Sequence, residues 1–261
     1  MEITLNDLLN KIADKFCCKK LSRKQQEINN RKNLVLDVAR KILSTDGFAG
    51  LSMDKIAKEI QCSKGTIYLH YANKEEIVAD LCTCCIDSHI DFFQKVANYE
   101  GSTRQKIIAI FFTYQLLNRL HPDDFKNMQI MRSSHILAKL QPATLEQIKK
   151  KEVLVIGIIN NIIKKAFDNK ELIPPKSISS EKILYGLWSQ VYGGALLATT
   201  DINWQNLGVD DTDSATLSMI NSTLDGLNWQ PLSDAIDCNK IKADLQNNIF
   251  ADEYERLHNN M

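Results

Sequence analysis

The chain has 261 residues, with 32 Lys and Arg against 32 Asp and Glu, 44% hydrophobic and 25% charged, values that exclude collagen-like, low-complexity and extensively disordered proteins. Its longest apolar stretch, 153–163, is too short to span a membrane and is broken by Asn160 and Asn161, and Met1-Glu2 begins no basic and apolar run of a secretory signal. Seven Cys, an odd count with adjacent pairs, suit free thiols in a reducing compartment, and only ten Gly and five Pro favour long helices over a many-turned β architecture.

Residues 4–18 carry Leu5, Leu8, Leu9, Ile12 and Phe16, the stripe of an amphipathic helix. Residues 19–30 are polar and basic, a linker or a continuing solvated helix. A second helix is expected from Arg31, with Leu34, Val35, Val38, Ala39, Ile42 and Leu43 on one face, ending at Asp46-Gly47 where Gly supplies a left-handed residue. Ser52 is placed to cap the next helix, which carries Ile56, Ala57 and Ile60. Asn73 should cap another, with Glu75 and Glu76 in its first turn at the positive end of the dipole. Beyond it, helices are expected over 74–99, 103–120, 123–140, 143–169, 179–200, 213–228 and 234–257, separated by Gly- or Pro-containing breaks. The fold class is all-α: a small N-terminal bundle and a larger C-terminal one.

Charge is uneven along this chain. Between 19 and 32 lie Lys19, Lys20, Arg23, Lys24, Arg31 and Lys32 against Glu27, whereas from 199 onward eleven acids face three bases. Such polarity lets one end approach a polyanion while the other avoids it, although two solvated faces of opposite sign would read the same way.

The informative segment is 52–71. Two short helices separated by Gln61-Cys62-Ser63 form a helix-turn-helix unit, with small Ala57 at the crossing and Ile56, Ile60, Cys62 and Ile67 as its apolar wedge. The second helix, from Ser63 to Tyr71, presents Lys64, Thr66, Tyr68 and His70, groups that donate to phosphates or base edges.

These residues, with Ala39, Gly47-Phe48, Leu51-Ser52-Met53-Asp54-Lys55-Ile56-Ala57, Lys64-Gly65-Thr66-Ile67-Tyr68 and Lys74-Glu75-Glu76-Ile77, resemble the DNA-binding domain of the TetR family of transcriptional regulators. Two positions depart from the family pattern. Gln61 stands where Gly is usual in the turn, so a left-handed residue with a side chain is expected there at a cost of roughly 1–2 kcal/mol. Cys62 replaces the usual Val or Ile. The resemblance implies a sequence-specific regulator, a repressor that binds a palindromic double-stranded DNA operator as a homodimer. It implies phosphate contacts by Ser52, the Met53 amide, Ser63, Lys64, Tyr68, His70 and Lys74. Base reading would fall to Lys64, Gly65, Thr66 and Leu69, and Arg31 and Lys32 would form a basic arm. Tyr71 reads as packing.

The resemblance divides the chain into an extension (1–29), the DNA-binding domain (30–78) and a regulatory domain (79–261). Leu184, Trp188, Val191 and Ala195, and Leu217, Ile220, Leu224 and Leu227, recur at seam spacing and are the expected dimer interface, with an intramolecular core as the alternative. Gly186, Gly193 and Gly194 would allow close backbone approach. A small, largely apolar effector is implied, with Tyr114, Gln115, Asn118, Arg132, His135, Tyr185 and Gln190 as candidate polar pocket groups. Cys82 and Cys85 share a helical face with His89, the spacing of a thiol- or metal-responsive switch or of buried thiols acting as small hydrophobes. Another alternative is an architectural, nucleoid or partner-recruiting protein of the same fold. No phosphate loop or nucleophile motif is present, so neither enzyme activity nor a cofactor or resident metal is expected. The expected location is the bacterial cytoplasm, at the nucleoid, with no membrane partner.

Overall fold

A computed structural model describes residues 22–173, 175 and 177–259; the helix expected over 4–18 lies outside them. In chain order the helices are α1 (Arg23–Gly50), α2 (Met53–Glu59), α3 (Lys64–Tyr68), α4 (Lys74–Ala97), α5 (Thr103–Leu120), α6 (Pro122–Met131), α7 (Ser134–Leu137) and α8 (Pro142–Asp168). They continue with α9 (Ser180–Ala198), α10 (Thr212–Gly226), α11 (Cys238–Asp244) and α12 (Ala251–Asn259). The described residues contain no strand, and the all-α reading holds. Two compact units form, one from the described residues up to Cys84 with Asp123–Lys149, the other from Cys85–Pro122 with the described residues from Lys150 onward.

In the first unit α1 starts eight residues before Arg31, because the Ser22 hydroxyl accepts the Gln25 N–H at 3.2 Å and satisfies an amide of the first turn. Gly47, at φ +65° and ψ −173°, interrupts this helix as expected of glycine there. Ser52 caps α2 by accepting the Lys55 N–H, and Asn73 caps α4 by accepting the Glu76 N–H at 2.9 Å. Val35, Ala39, Leu51, Ile56, Ile67 and Ile77 are buried out of solvent. Of the predicted wedge, Ile56 and Ile67 are fully buried, whereas Ile60 and Cys62 are only half-buried.

The turn between α2 and α3 closes with the Cys62 N–H donating to the Ala57 carbonyl at 3.0 Å and the Gln61 N–H to Lys58 at 3.2 Å. This six-to-one, five-to-two pair needs a left-handed residue between the helices. Gln61 takes that role at φ +54°, as the sequence led us to expect.

The start of α4 is stitched to residues 139–144. The Asn73 side chain donates to the Lys139 carbonyl at 3.1 Å, the Lys139 ammonium pairs with buried Glu75 at 2.7 Å, and Glu76 accepts from the Gln141 N–H and the Thr144 hydroxyl. Burial pushes the Glu75 carboxyl up, but the bond from Lys139, backbone donors and the Lys139 and Lys74 charges together hold it below its ordinary range. The helix expected over 123–140 is broken into α6 and α7. Ser133 is extended there, and its hydroxyl donates to the Ile130 carbonyl, an alternative to continuing the helix.

In the second unit α5 is the central element, burying Ile107, Ile108, Ile110, Phe111, Leu116 and Leu117. Arg104, wholly removed from solvent, donates to the Asp225 carboxylate at 2.6 Å, the Trp229 carbonyl at 2.8 Å and Asn221 at 3.2 Å. The Trp229 indole N–H donates to the Thr103 hydroxyl at 2.9 Å. The helix expected over 234–257 also divides. A wide turn at Leu245–Ile249 separates α11 from α12 and lets Phe250 bury itself against Phe92, ring centroids 4.8 Å apart.

Replacing Gln61 by Gly, where the left-handed conformation is already adopted, should stabilise the protein by about 1 kcal/mol and raise its melting temperature, read by circular dichroism. Because the folded pKa of Glu75 lies below its unfolded value, its contribution is present above the ordinary carboxylate pKa and lost as pH falls through the folded one. The difference in urea midpoint between wild type and Glu75→Gln should therefore be full at pH 7 and shrink as the solution is acidified below about pH 4.5.

Candidate nucleic-acid interface

The α3 helix exposes what its burial pattern leaves over. Ile67 points inward, so the outward positions are Ser63, Lys64, Gly65, Tyr68 and Leu69. Ser63 caps the helix, accepting the Thr66 N–H at 3.1 Å, and its hydroxyl lies 2.8 Å from that of Thr66. Tyr68 is half-exposed and Leu69 is 83% exposed. A single exposed leucine is ordinary on a protein surface, but at this position Leu69 has the chemistry to contact a thymine methyl in a major groove.

Lys64 is not free. Its ammonium bonds the Asp54 carboxylate at 2.7 Å and sits 6.0 Å from the Tyr68 ring. That bond holds the Lys64 pKa above its usual value. Asp54 was not visible as a site residue, since nothing in the spacing of ten positions between two short helices marks such a pair.

Ser52 and Met53 stand at the first turn of α2, with the Met53 side chain buried so that its backbone is what faces outward chemistry. Arg31 is exposed. Lys32 is partly covered, 3.6 Å from Asp80 and 5.2 Å from the centroid of Tyr71, whose hydroxyl donates to Asp80 at 2.6 Å. Tyr71 is buried, the packing role expected of it, and desolvation followed by the Asp80 bond drives its phenol far above its usual pKa. His70 is half-buried, and desolvation, then the Lys32 and Arg31 charges, lower its pKa. At neutral pH it therefore offers a ring N–H and no charge. Lys74, an expected phosphate contact, also has a structural task. Its ammonium donates to the Phe48 and Leu51 carbonyls, both at 3.0 Å, and lies 4.2 Å from the Phe48 ring, neutralising the end of α1.

The predicted effector groups separate. Tyr114, Gln115, Asn118 and Gln190 are partly buried; Gln190 donates to the Thr223 hydroxyl at 2.8 Å. The Gln115 amide nitrogen and the Gln190 amide oxygen are buried without a hydrogen-bond partner, as are Thr113 Oγ1 and Asn160 Oδ1, two groups not among the expected pocket residues. Arg132 and His135 face solvent, and Tyr185 is 76% exposed, which does not favour their assignment to a pocket: Arg132 lies in the turn between α6 and α7, and the helical phases of His135 and Tyr185 turn them outward.

Of the expected interface residues, Leu184, Trp188, Val191, Ala195, Leu217 and Leu227 are half-buried within the chain. Ile220 and Leu224 are fully buried. These two are core residues of α10, a correction that follows from the seam repeat being equally suited to an intramolecular contact. Gly194 does permit close approach within the subunit, since a Cβ there would lie 2.5 Å from the Thr216 hydroxyl; Gly186 and Gly193 meet nothing within 4 Å. Tyr185, Leu196, Leu197 and Met219 are the exposed apolar side chains of α9 and α10.

Cys82 and Cys85 are buried and Cys84 exposed. The Cys85 sulfur lies 3.7 Å from His89 Nδ1, which is itself 2.8 Å from the Cys85 carbonyl, and burial lowers the His89 pKa. No three His, Cys, Asp or Glu side chains converge on a metal position among the described residues. Nor, among them, is any helix long and apolar enough to cross a membrane.

A capped short helix packed through Ile67 onto α2, with its polar and aromatic face outward, defines a helix-turn-helix DNA-binding protein. The profile described as "Bacterial regulatory proteins, tetR family" matches residues 35–81, the segment that holds the end of α1, α2, α3 and the start of α4. The biofilm operon icaADBC negative transcriptional regulator IcaR of Staphylococcus epidermidis is 36% identical over 61 residues, 23% of this chain and only a third of that protein's length. The fatty acid metabolism regulator protein of Bacillus subtilis is 21% identical over 191 residues, 73% of this chain and 90% of the relative. Among solved structures, the TetR family regulator PfmR from Thermus thermophilus superposes with a TM-score of 0.56 at 14% identity, covering 74% of this chain and 98% of its own. FadR from Bacillus subtilis, solved with stearoyl-CoA, gives 0.55 at 16% identity, covering 75% and 96%. These two likenesses are of fold. The relatives are transcription regulators, in line with the expectation that the chain is no enzyme.

Because Lys64 and Tyr68 project from the folded unit, Lys64→Ala and Tyr68→Ala should each weaken binding to a preferred duplex by about 1–3 kcal/mol while leaving the melting temperature nearly unchanged. Fluorescence anisotropy at fixed salt checks this, and unaltered affinity in either variant removes that residue from the interface.

Proposed function

We propose that the protein is a homodimeric repressor that grips a palindromic operator with one α3 helix in each of two successive major grooves and lets go when a small, largely apolar effector binds. The observation that carries this reading is the outward face of α3, where Lys64, Tyr68 and Leu69 stand exposed, with Thr66 half-buried beside them, on a helix anchored by buried Ile67. Arg31, Ser52, the Met53 amide, Ser63, Gly65 and His70 would supply the surrounding contacts. Reading heads for adjacent grooves must sit about 34 Å apart, so an effector that favours any other spacing lowers affinity without touching DNA.

Dimerisation is supported by the exposed apolar side chains Tyr185, Leu196 and Leu197 on α9 and Met219 on α10, with Gly186 and Gly193 leaving room for a facing backbone. The division into an extension (1–29), a reading domain (30–78) and a regulatory domain (79–261) belongs to the same proposal, as does a cytoplasmic, nucleoid-associated site of action. For the effector, the naming of one relative as a fatty acid metabolism regulator and the stearoyl-CoA in the FadR structure favour a long acyl chain. The buried apolar residues of α5, and the unpartnered polar atoms of Thr113 and Gln115 on that helix, are compatible with such a ligand.

Selection of duplexes from a random pool by the purified protein should enrich a two-fold symmetric sequence, and sedimentation should give a dimer at micromolar concentration. Adding a long-chain acyl-CoA, but not coenzyme A alone, should release the duplex. Failure to enrich any symmetric sequence refutes the operator; a monomer refutes the dimer; indifference to acyl-CoA refutes only the effector class.

A further inference from the structure

Asp54 occupies a place where a carboxylate should be unwelcome. It lies in the first turn of α2, beside Ser52 and the amides proposed to meet a phosphate, and its side chain is well exposed. An acid there repels any duplex regardless of sequence, over a Debye length of about 10 Å at 0.1 M salt. Yet its carboxylate takes the ammonium of Lys64, the cation of α3, at 2.7 Å, and the Tyr68 ring flanks the same ammonium at 6.0 Å. The neighbouring cation of α2, Lys55, is likewise taken by an acid, Asp46. The helix-turn-helix therefore presents two of its lysines already neutralised.

We propose that Asp54 sets specificity: by holding the Lys64 ammonium it keeps that charge off the phosphates of arbitrary DNA and leaves its remaining hydrogens to donate to acceptors on a base edge. This rests on the reading of α3 as the base-contacting helix. An ammonium has three donors, so one can remain on Asp54 while another reaches guanine O6 or N7. A phosphate contact, in this proposal, is gained only when Lys64 leaves its carboxylate. Asp54 thus weakens binding to every sequence, and weakens binding to the wrong ones more. Discrimination achieved by penalising the competitor is a general route to specificity.

The test measures affinity for the duplex that the wild-type protein enriches and for a random duplex of equal length, across a salt series, using the full chain. For Asp54→Asn, affinity for the random duplex should rise about eightfold per subunit near 0.1 M salt, and the salt slope should steepen by about 0.9 per subunit, the signature of one added phosphate contact. Preference for the enriched duplex should fall at least about fivefold, within the usual 1–3 kcal/mol for one base contact. In a Lys64→Ala background the same substitution should leave the slope unchanged. Asp54→Glu, which keeps an acid at the start of α2, should restore the preference. If Asp54→Asn folds poorly, Asp54→Ser, which retains a residue suited to a helix start, is read in its place. An unchanged preference, or an equal change with and without Lys64, overturns the proposal by reducing Asp54 to a bare surface charge. If Lys64→Ala alone leaves binding to the enriched duplex intact, the base-reading assignment of α3 fails first, and it is recognised separately by that result.

Discussion

A helix of five residues has no stability of its own, because nucleation fixes several residues for a single hydrogen bond. The reading helix α3 exists only because Ile67 is driven out of water where α3 packs on α2, while Ser63 satisfies its first turn. Everything proposed for recognition depends on that burial. With Ile67 pinned, a rotation of α3 about its own axis would expose an isoleucine, so Lys64, Tyr68 and Leu69 have one direction in which to point. Fully burying such a side chain contributes about 1.5–3 kcal/mol, enough to set an orientation but small beside the stability of a domain.

The same unit shows how electrostatics refines what burial begins. Lysines that read as a uniform basic surface are individually assigned: Lys74 to the carbonyls ending α1, Lys55 to Asp46, Lys64 to Asp54, Lys32 to Asp80. Arg31 is exposed by contrast. Each of these exposed pairs contributes little to folding. Their effect is on the field offered to a polyanion, which is more selective than the count of basic residues implies. A chain of zero net charge therefore needs no large cationic patch to recognise DNA, only correctly placed donors.

In the second unit the organising feature is the buried Arg104, whose guanidinium binds Asp225, Asn221 and the Trp229 carbonyl. A charge so enclosed is tolerated only with its partners in place. It ties the start of α5 to the end of α10 and to the segment that follows. The exposed apolar side chains of α9 lie on a helix otherwise anchored through Ile183 and Leu187, so core and proposed interface are built from adjacent faces of one element.

Local signals in the chain were enough for the all-α class, the helix-turn-helix and the caps at Ser52 and Asn73, because each depends on residues within a few positions of one another, and the family resemblance marked the turn at Gln61. Periodicity also told buried from outward on α3. Tertiary packing alone decided the rest. It separated Ile220 and Leu224 from an interface they matched in spacing, turned Tyr185 outward, broke the helices at Ser133 and before Phe250, and joined Lys64 to Asp54 and Arg104 to Asp225 across 10 and 121 positions. A helical repeat states that a face is apolar without stating what covers it, and an ion pair between two helices leaves no trace in either one's period.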